Sequence, residues 1–170
     1  YEPRYSEDGA TRYDWWGAGW DTQSEGYWHA HAPLAESDDL RQYPWPDPRD
    51  PQLLDVASQR MRQDAGESFT VPNFGLCLFE RAWSLRGMEE LFFDFVEAPE
   101  FVYDLFAAIA EFNIAQVRKA LEFDIDAVYF GDDWGQQRGL HMRPQKCQEF
   151  IMPQQKRMYE AVRYAARFVR

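Results

Sequence analysis

Ile125-Asp126-Ala127-Val128-Tyr129-Phe130-Gly131-Asp132-Asp133-Trp134-Gly135-Gln136-Gln137-Arg138-Gly139 is the stretch on which the fold turns. It opens on a short apolar run rich in β-branched and aromatic residues, the composition of a buried strand. It then changes to two acids, a Trp, two Gln and an Arg set among three glycines, and a helical pattern resumes after Pro144. A strand, a polar loop and a helix therefore follow one another, and the rest of the chain is placed relative to them.

Upstream, Ser68 to Leu78 reads as a second strand, with Phe79-Glu80-Arg81-Ala82-Trp83-Ser84-Leu85-Arg86-Gly87 as a polar-aromatic loop behind it. Met88, Leu91, Phe92, Phe95 and Val96 recur at helical spacing, so the pattern predicts an amphipathic helix over 88–96. Pro99 opens the next helix, whose Phe101, Leu105, Ile109, Phe112, Val117 and Leu121 sit mostly on one stripe and read as core. The last helix starts at Pro144, is interrupted or kinked near Pro153, and resumes through Met158, Val162 and Ala166. Arg163 and Arg167 suit the negative end of its dipole. Strands alternating with helices imply parallel pairing and a (β/α) barrel or a doubly wound sheet.

The N-terminal third is different. Residues 1–32 are dense in aromatics and glycine, and Thr22-Gln23-Ser24-Glu25-Gly26 between short apolar pairs suggests a hairpin. Such a flap packs on a barrel or another subunit, or touches a ligand directly. Pro44-Trp45-Pro46-Asp47-Pro48 is a stiff connector, after which a helix is expected from about Asp50-Pro51 through Met61. Two regions result: an aromatic-rich hairpin with its connector over 1–49, and part of a barrel over 50–170. The chain opens on Tyr1 and ends in Phe168-Val169-Arg170, which resembles a strand just beginning, so an internal piece of a longer protein is expected.

Composition narrows the function classes. With 170 residues, 45% of them hydrophobic, the chain can bury a sizeable core. A net charge of −11 disfavours a broad nucleic-acid surface, while a few arginines in one cleft could still hold an anionic small ligand. No apolar run approaches the roughly 18 residues of a membrane span. Cys77 and Cys147 lie far apart without metal-type spacing, which points away from a disulfide framework and toward a reducing cytoplasm.

Active residues of parallel architectures collect at the C-terminal ends of strands. Asp132 and Asp133 fall there, and successive side chains of an extended chain point to opposite sides. One would face the mouth as general acid/base or as an acceptor for an N–H-bearing ligand; the other would orient a loop amide or pair with an arginine. Arg81, Arg86 and Arg138 could clamp carboxylates, with Gln137 as a polar positioner. His29 and His31 share one side of a strand, a spacing a metal could use if a third ligand joined them. His141 reads as a surface or cap residue. Gly131-Asp132-Asp133 superficially matches the metal-holding triplet of RNA polymerase palms, but that triplet sits in a hairpin, and here a Trp-Gly-Gln-Gln-Arg-Gly loop and a Pro-started helix follow.

In combination, Gly131-Asp132-Asp133-Trp134-Gly135-Gln136-Gln137-Arg138-Gly139-Leu140, Pro144, Glu149-Phe150-Ile151, Pro153 and Lys156-Arg157-Met158-Tyr159 resemble the uroporphyrinogen decarboxylase superfamily. Phe79–Gly87, Pro99-Glu100-Phe101-Val102, Asp14-Trp15-Trp16-Gly17 and Tyr43–Pro48 support the same likeness, which spans about residues 14–169. The nearest flavour is the decarboxylase-like branch related to corrinoid and coenzyme M methyltransferases. The resemblance implies a (β/α)8 TIM barrel, of which this chain would supply about three to four βα units. It also implies one of two chemistries. One is cofactor-free decarboxylation of tetrapyrrole acetate groups, with an acid on the pyrrole nitrogens and arginines on the carboxylates. The other is zinc-dependent methyl transfer from a corrinoid to a thiol, with the zinc ligands expected beyond Arg170 and no metal ligand within this chain. Asp132 and Asp133 would be catalytic, and Arg81, Arg86, Gln137 and Arg138 substrate-binding. A tetrapyrrole or thiol substrate, and a corrinoid protein, are the implied partners. A non-catalytic barrel that docks a corrinoid protein is the alternative. Arg143 stands where relatives often carry a capping Ser, and Cys147 where they often carry an aromatic.

Overall fold

The structure, a computed structural model, describes residues 3–26, 28–53, 55–64 and 66–165. Strands β1 (Arg4–Tyr5), β2 (Thr11–Tyr13), β3 (Gly19–Asp21) and β4 (His29–His31) come first. A 3-10 turn over Pro51–Leu53 leads to α1 (Asp55–Asp64), and β5 (Asn73–Phe74) follows. Three helices come next: α2 (Phe79–Arg86), α3 (Met88–Glu97) and α4 (Pro99–Ala120). After them lie β6 (Tyr129–Phe130), β7 (Gly135–Gln136) and β8 (Gly139–Leu140). The last helical stretch is α5 (Pro144–Lys146), a π-helical turn over Cys147–Ile151, and α6 (Met152–Ala165). The fold is mixed α/β with small sheets, and no closed barrel forms among the described residues.

Two compact units divide the chain: Tyr1–Pro46 with Arg81–Leu105, and Asp47–Glu80 with Phe106–Arg170. The first contains an antiparallel meander in the order β1-β2-β3-β4, pairing Tyr13 with Gly19 and Trp20 with His29. The hairpin expected about Thr22–Gly26 is present as β3–β4, extended by two more strands on its other side. Gly19 is what lets the middle of this sheet close. A Cβ there would meet His31 Cβ and Thr11 Cγ2, each at 2.7 Å. Trp16, Ala18, Trp20, Leu34, Leu85, Leu91 and Phe95 form its apolar interior.

In the second unit β5 and β6 pair in parallel, Asn73 with Tyr129 and Phe74 with Phe130. The strands expected over 68–78 and 125–131 are shorter than their composition suggests, because Pro72 brings no N–H to the ladder. Thr70 N–H instead donates to the Asp126 carboxylate at 2.7 Å, and backbone bonds run from Tyr129 N–H to Pro72 O and from Gly131 N–H to Phe74 O. Phe106, Ile109, Val117, Phe150, Ile151 and Met158 are fully buried or nearly so.

Helices expected from amphipathic spacing are present at Met88–Glu97 and Pro99–Ala120. One stripe residue is misplaced: Val96 is exposed, and Asp94 is buried in an ion pair with Arg86. Pro144 opens the last helix as expected, behind Arg143, which makes no side-chain cap bond. The break near Pro153 takes the form of the π turn, whose wider winding has Met152 N–H donating to Cys147 O. Proline cannot donate and its ring crowds the carbonyl four residues back, so an extra residue in that turn relieves both faults. The segment read as a loop over Phe79–Gly87 is instead helix α2 through Arg86. The expected features on Ala166, Arg167 and Phe168–Arg170 lie outside the described residues.

Candidate functional site

The reason α2 is a helix lies fifty residues downstream. Neither Cys77 nor Leu78 can cap a helix, so local sequence offers no start signal. Asp132, leaving the end of β6, supplies the cap from a distance. Its carboxylate accepts N–H bonds from Leu78 at 3.3 Å, Phe79 at 3.0 Å and Glu80 at 2.9 Å. Trp134 Nε1–H donates to the same carboxylate at 2.6 Å. These four donors match the roughly four lone-pair directions of an ionised carboxylate, and a negative charge there complements the helix dipole.

Close backbone approach makes this reach possible. Cys77 N–H donates to Gly131 O at 3.1 Å, and a Cβ on Gly131 would lie 3.3 Å from Gly75 Cα. Leu76, between them and the helix, holds φ at +50°, a left-handed conformation that costs a leucine about 1–2 kcal/mol. The strand-to-helix turn is thus strained, and the Asp132 bonds hold it in place.

Asp133 points elsewhere. Its side chain is exposed and takes one bond, from Gly135 N–H at 3.1 Å. Gln137 and Arg138 form the two-residue turn of the β7–β8 hairpin and are exposed as well. Asp132, Asp133, Gln137 and Arg138 therefore all leave one short segment at the C-terminal end of β6. The buried Cys77 thiol nearby is pushed far up by burial first, then by the negative charges of Asp132 and Glu80, which disfavours the thiolate.

The other two sequence-predicted binding residues lie in the first unit and are engaged in ion pairs. Arg81 is buried, bonded to Asp14 Oδ2 at 2.7 Å and stacked over the Trp16 ring at 5.0 Å. Arg86 bonds Asp94 at 2.6 Å, donates to Leu34 O at 2.7 Å and lies over Phe101. No family model, curated protein or solved structure matches the chain.

The superfamily resemblance brings in zinc, with its ligands expected outside this chain. Among the described residues no group of three His, Cys, Asp or Glu side chains converges. His29, one of the paired histidines, is turned inward: its Nε2 lies 2.8 Å from Ser84 O, and its ring meets Trp20 and Trp83 edge-on. Cys147 is buried, its thiol also pushed up by burial.

Two features escaped the sequence reading. Asp14 proves to be the polar centre of the first unit, accepting from Trp16 N–H, Ala18 N–H and Arg81; an Asp three residues before a turn glycine was the available signal. The second is an aromatic cavity of about 640 Å³ in the same unit, walled by Tyr13, Trp15, Trp16 and Tyr43.

Proposed function

We propose that β5 and β6 are neighbouring staves of a (β/α)8 barrel of the uroporphyrinogen decarboxylase superfamily. The protein is a cytoplasmic enzyme of tetrapyrrole- or corrinoid-linked chemistry, and Asp133 is its exposed site acid. One observation carries this reading: of the two acids at the end of a parallel strand, Asp132 is consumed by the backbone and Asp133 is left exposed. Further support comes from the parallel pairing across α2, α3 and α4. Phe69 at 74% and Tyr129 at 56% exposure are large apolar residues beside a two-stranded sheet, as suits strands awaiting neighbours.

In the decarboxylation that this site suits best, Asp133 accepts hydrogen bonds from pyrrole N–H groups. It offsets the positive charge that develops on the protonated ring while a side-chain carboxylate departs as CO2 and a proton takes its place. Arg138 holds another carboxylate of the substrate, and Gln137 positions the macrocycle. Asp132 acts only by holding the turn. No helix among the described residues is long and apolar enough to cross a membrane.

The test is anaerobic turnover of uroporphyrinogen, with products separated by carboxylate number, run beside an assay of thiol methylation from methylcobalamin with and without a chelator. Decarboxylated product, cut about a hundred-fold or more by Asp133→Asn without a change in thermal midpoint, supports the decarboxylase. Chelator-sensitive thiol methylation would move the protein to the superfamily's transfer branch. Three to four βα units alone cannot close a barrel and are expected to have little activity, so failure of both reactions leaves a docking barrel only when the whole barrel is assayed.

A further inference from the structure

The cavity in the first unit is lined by none of Asp132, Asp133, Gln137 and Arg138, and its own construction says what it takes. It starts from the turn at Asp14–Gly17. Asp14 Oδ1 accepts Trp16 N–H at 2.9 Å and Ala18 N–H at 3.0 Å. Gly17 takes φ +79°, which a residue with a side chain adopts only under strain. That turn sets the Trp15 and Trp16 rings side by side, 5.5 Å between centroids.

The remaining walls are braced individually. Tyr43 is buried, its hydroxyl donates to Trp16 O, and its ring meets Trp45 edge-on at 4.8 Å. Tyr13 meets His31 edge-on at 5.7 Å. These aromatic faces are held before any ligand arrives, so little ordering is required on binding. A volume of about 640 Å³ falls within the range for pockets that enclose a small molecule.

Charge decides the ligand class. Asp and Glu number 29 in a chain of net charge −11, yet none of the described residues lining the cavity is acidic. Among the described lining residues the only fully charged side chain is Arg4, whose guanidinium lies 5.9 Å from the centre of the Tyr13 ring. Ser37 and Gln42 add neutral polar groups. The Asp39 carboxylate that accepts from the Gln42 amide is already paired with Arg41 at 2.8 Å. Ring faces by themselves attract cations, but a guanidinium at the mouth, with no acid among the described lining residues, repels a cation and pairs with a flat ring bearing an anion.

We propose that this cavity binds a planar aromatic carboxylate. The ring lies between the Trp15, Trp16 and Tyr43 walls, and the carboxylate lies at the rim on Arg4. This site is independent of the barrel and of the Asp133 chemistry.

Calorimetric titration with 2-naphthoate, set against the isosteric cation 2-naphthylmethylammonium and neutral 2-naphthylmethanol, tests it directly. Naphthoate is expected to bind at least about ten-fold tighter than the cation. Arg4→Gln, at an exposed strand position, should weaken naphthoate by about ten-fold and leave the alcohol unchanged. Trp15→Ala should weaken naphthoate and the alcohol alike, provided its thermal midpoint shows a folded first unit. Equal or tighter binding of the cation overturns the assignment, as does an Arg4→Gln protein that binds naphthoate like the wild type. Absence of saturable naphthoate binding below roughly 5 mM, weaker than a specific pocket gives, overturns it too.

Discussion

Asp132 and Asp133 are adjacent and chemically identical, yet their surroundings give them different work. Asp132 holds three backbone N–H groups of the α2 start and the Trp134 indole. Removing its carboxylate leaves those donors without their acceptor and frees the strained turn at Leu76. Asp132→Ala should therefore destabilise the protein by about 2–3 kcal/mol, the upper range for loss of a charged cap. Asp133→Ala should stay within about 0.5 kcal/mol of the wild type, as substitutions at exposed positions usually do. Urea unfolding of the two variants decides the matter, and equal losses would mean that the two roles are shared. Sequence spacing made the asymmetry expected, since neighbours on an extended chain diverge. It could not say which of the pair would turn inward, because that depends on where the α2 N-terminus lies.

At the scale of elements, α3 and α4 were legible because their apolar residues repeat at the helical period and each is announced locally, by Gly87 or Pro99. Helix α2 was not, for a physical reason: its cap is not in its own neighbourhood, and Phe79-Glu80-Arg81-Ala82-Trp83 mixes charge with aromatics in a way that also suits a loop. Arg81 and Arg86 looked like anion clamps for the same reason. Their partners, Asp14 and Asp94, are distant in sequence or hidden on a helix that was expected to bury Val96 instead. The meander was half legible; Thr22–Gly26 marked one hairpin, while β1 and β2 lack the alternation that betrays a strand. What holds the meander closed is Gly19, flanked by His31 and Thr11 at a distance that no Cβ tolerates. Gly19→Ala must push those neighbours apart, and overpacking of this sort costs about 1–3 kcal/mol. A thermal midpoint unchanged by Gly19→Ala would show that the sheet yields more readily than its register implies.

For the molecule as a whole, acid should not act evenly. The first unit contains His29, half-buried between Trp20 and Trp83. Burial is the main cause that lowers its pKa from the ordinary 6.5, with the charge of His31 adding to it; the Ser84 and His31 carbonyls and the Asp14 charge oppose. The sign follows from linkage. A histidine whose folded pKa lies below its unfolded value takes up its proton more readily when the chain unfolds. Its contribution is complete above about pH 6.5 and is lost as pH falls from there through the lower folded value. Six of the seven tryptophans, Trp15, Trp16, Trp20, Trp28, Trp45 and Trp83, belong to this unit, and Trp134 alone belongs to the other. Tryptophan emission during urea unfolding therefore reports chiefly on the unit that contains His29. Its midpoint should fall between pH 7.5 and 5.5, and His29→Gln, which retains an N–H donor for Ser84 O but cannot titrate in that range, should flatten the fall. A slope identical in wild type and His29→Gln would assign the acid sensitivity to the carboxylates of the acidic surface instead.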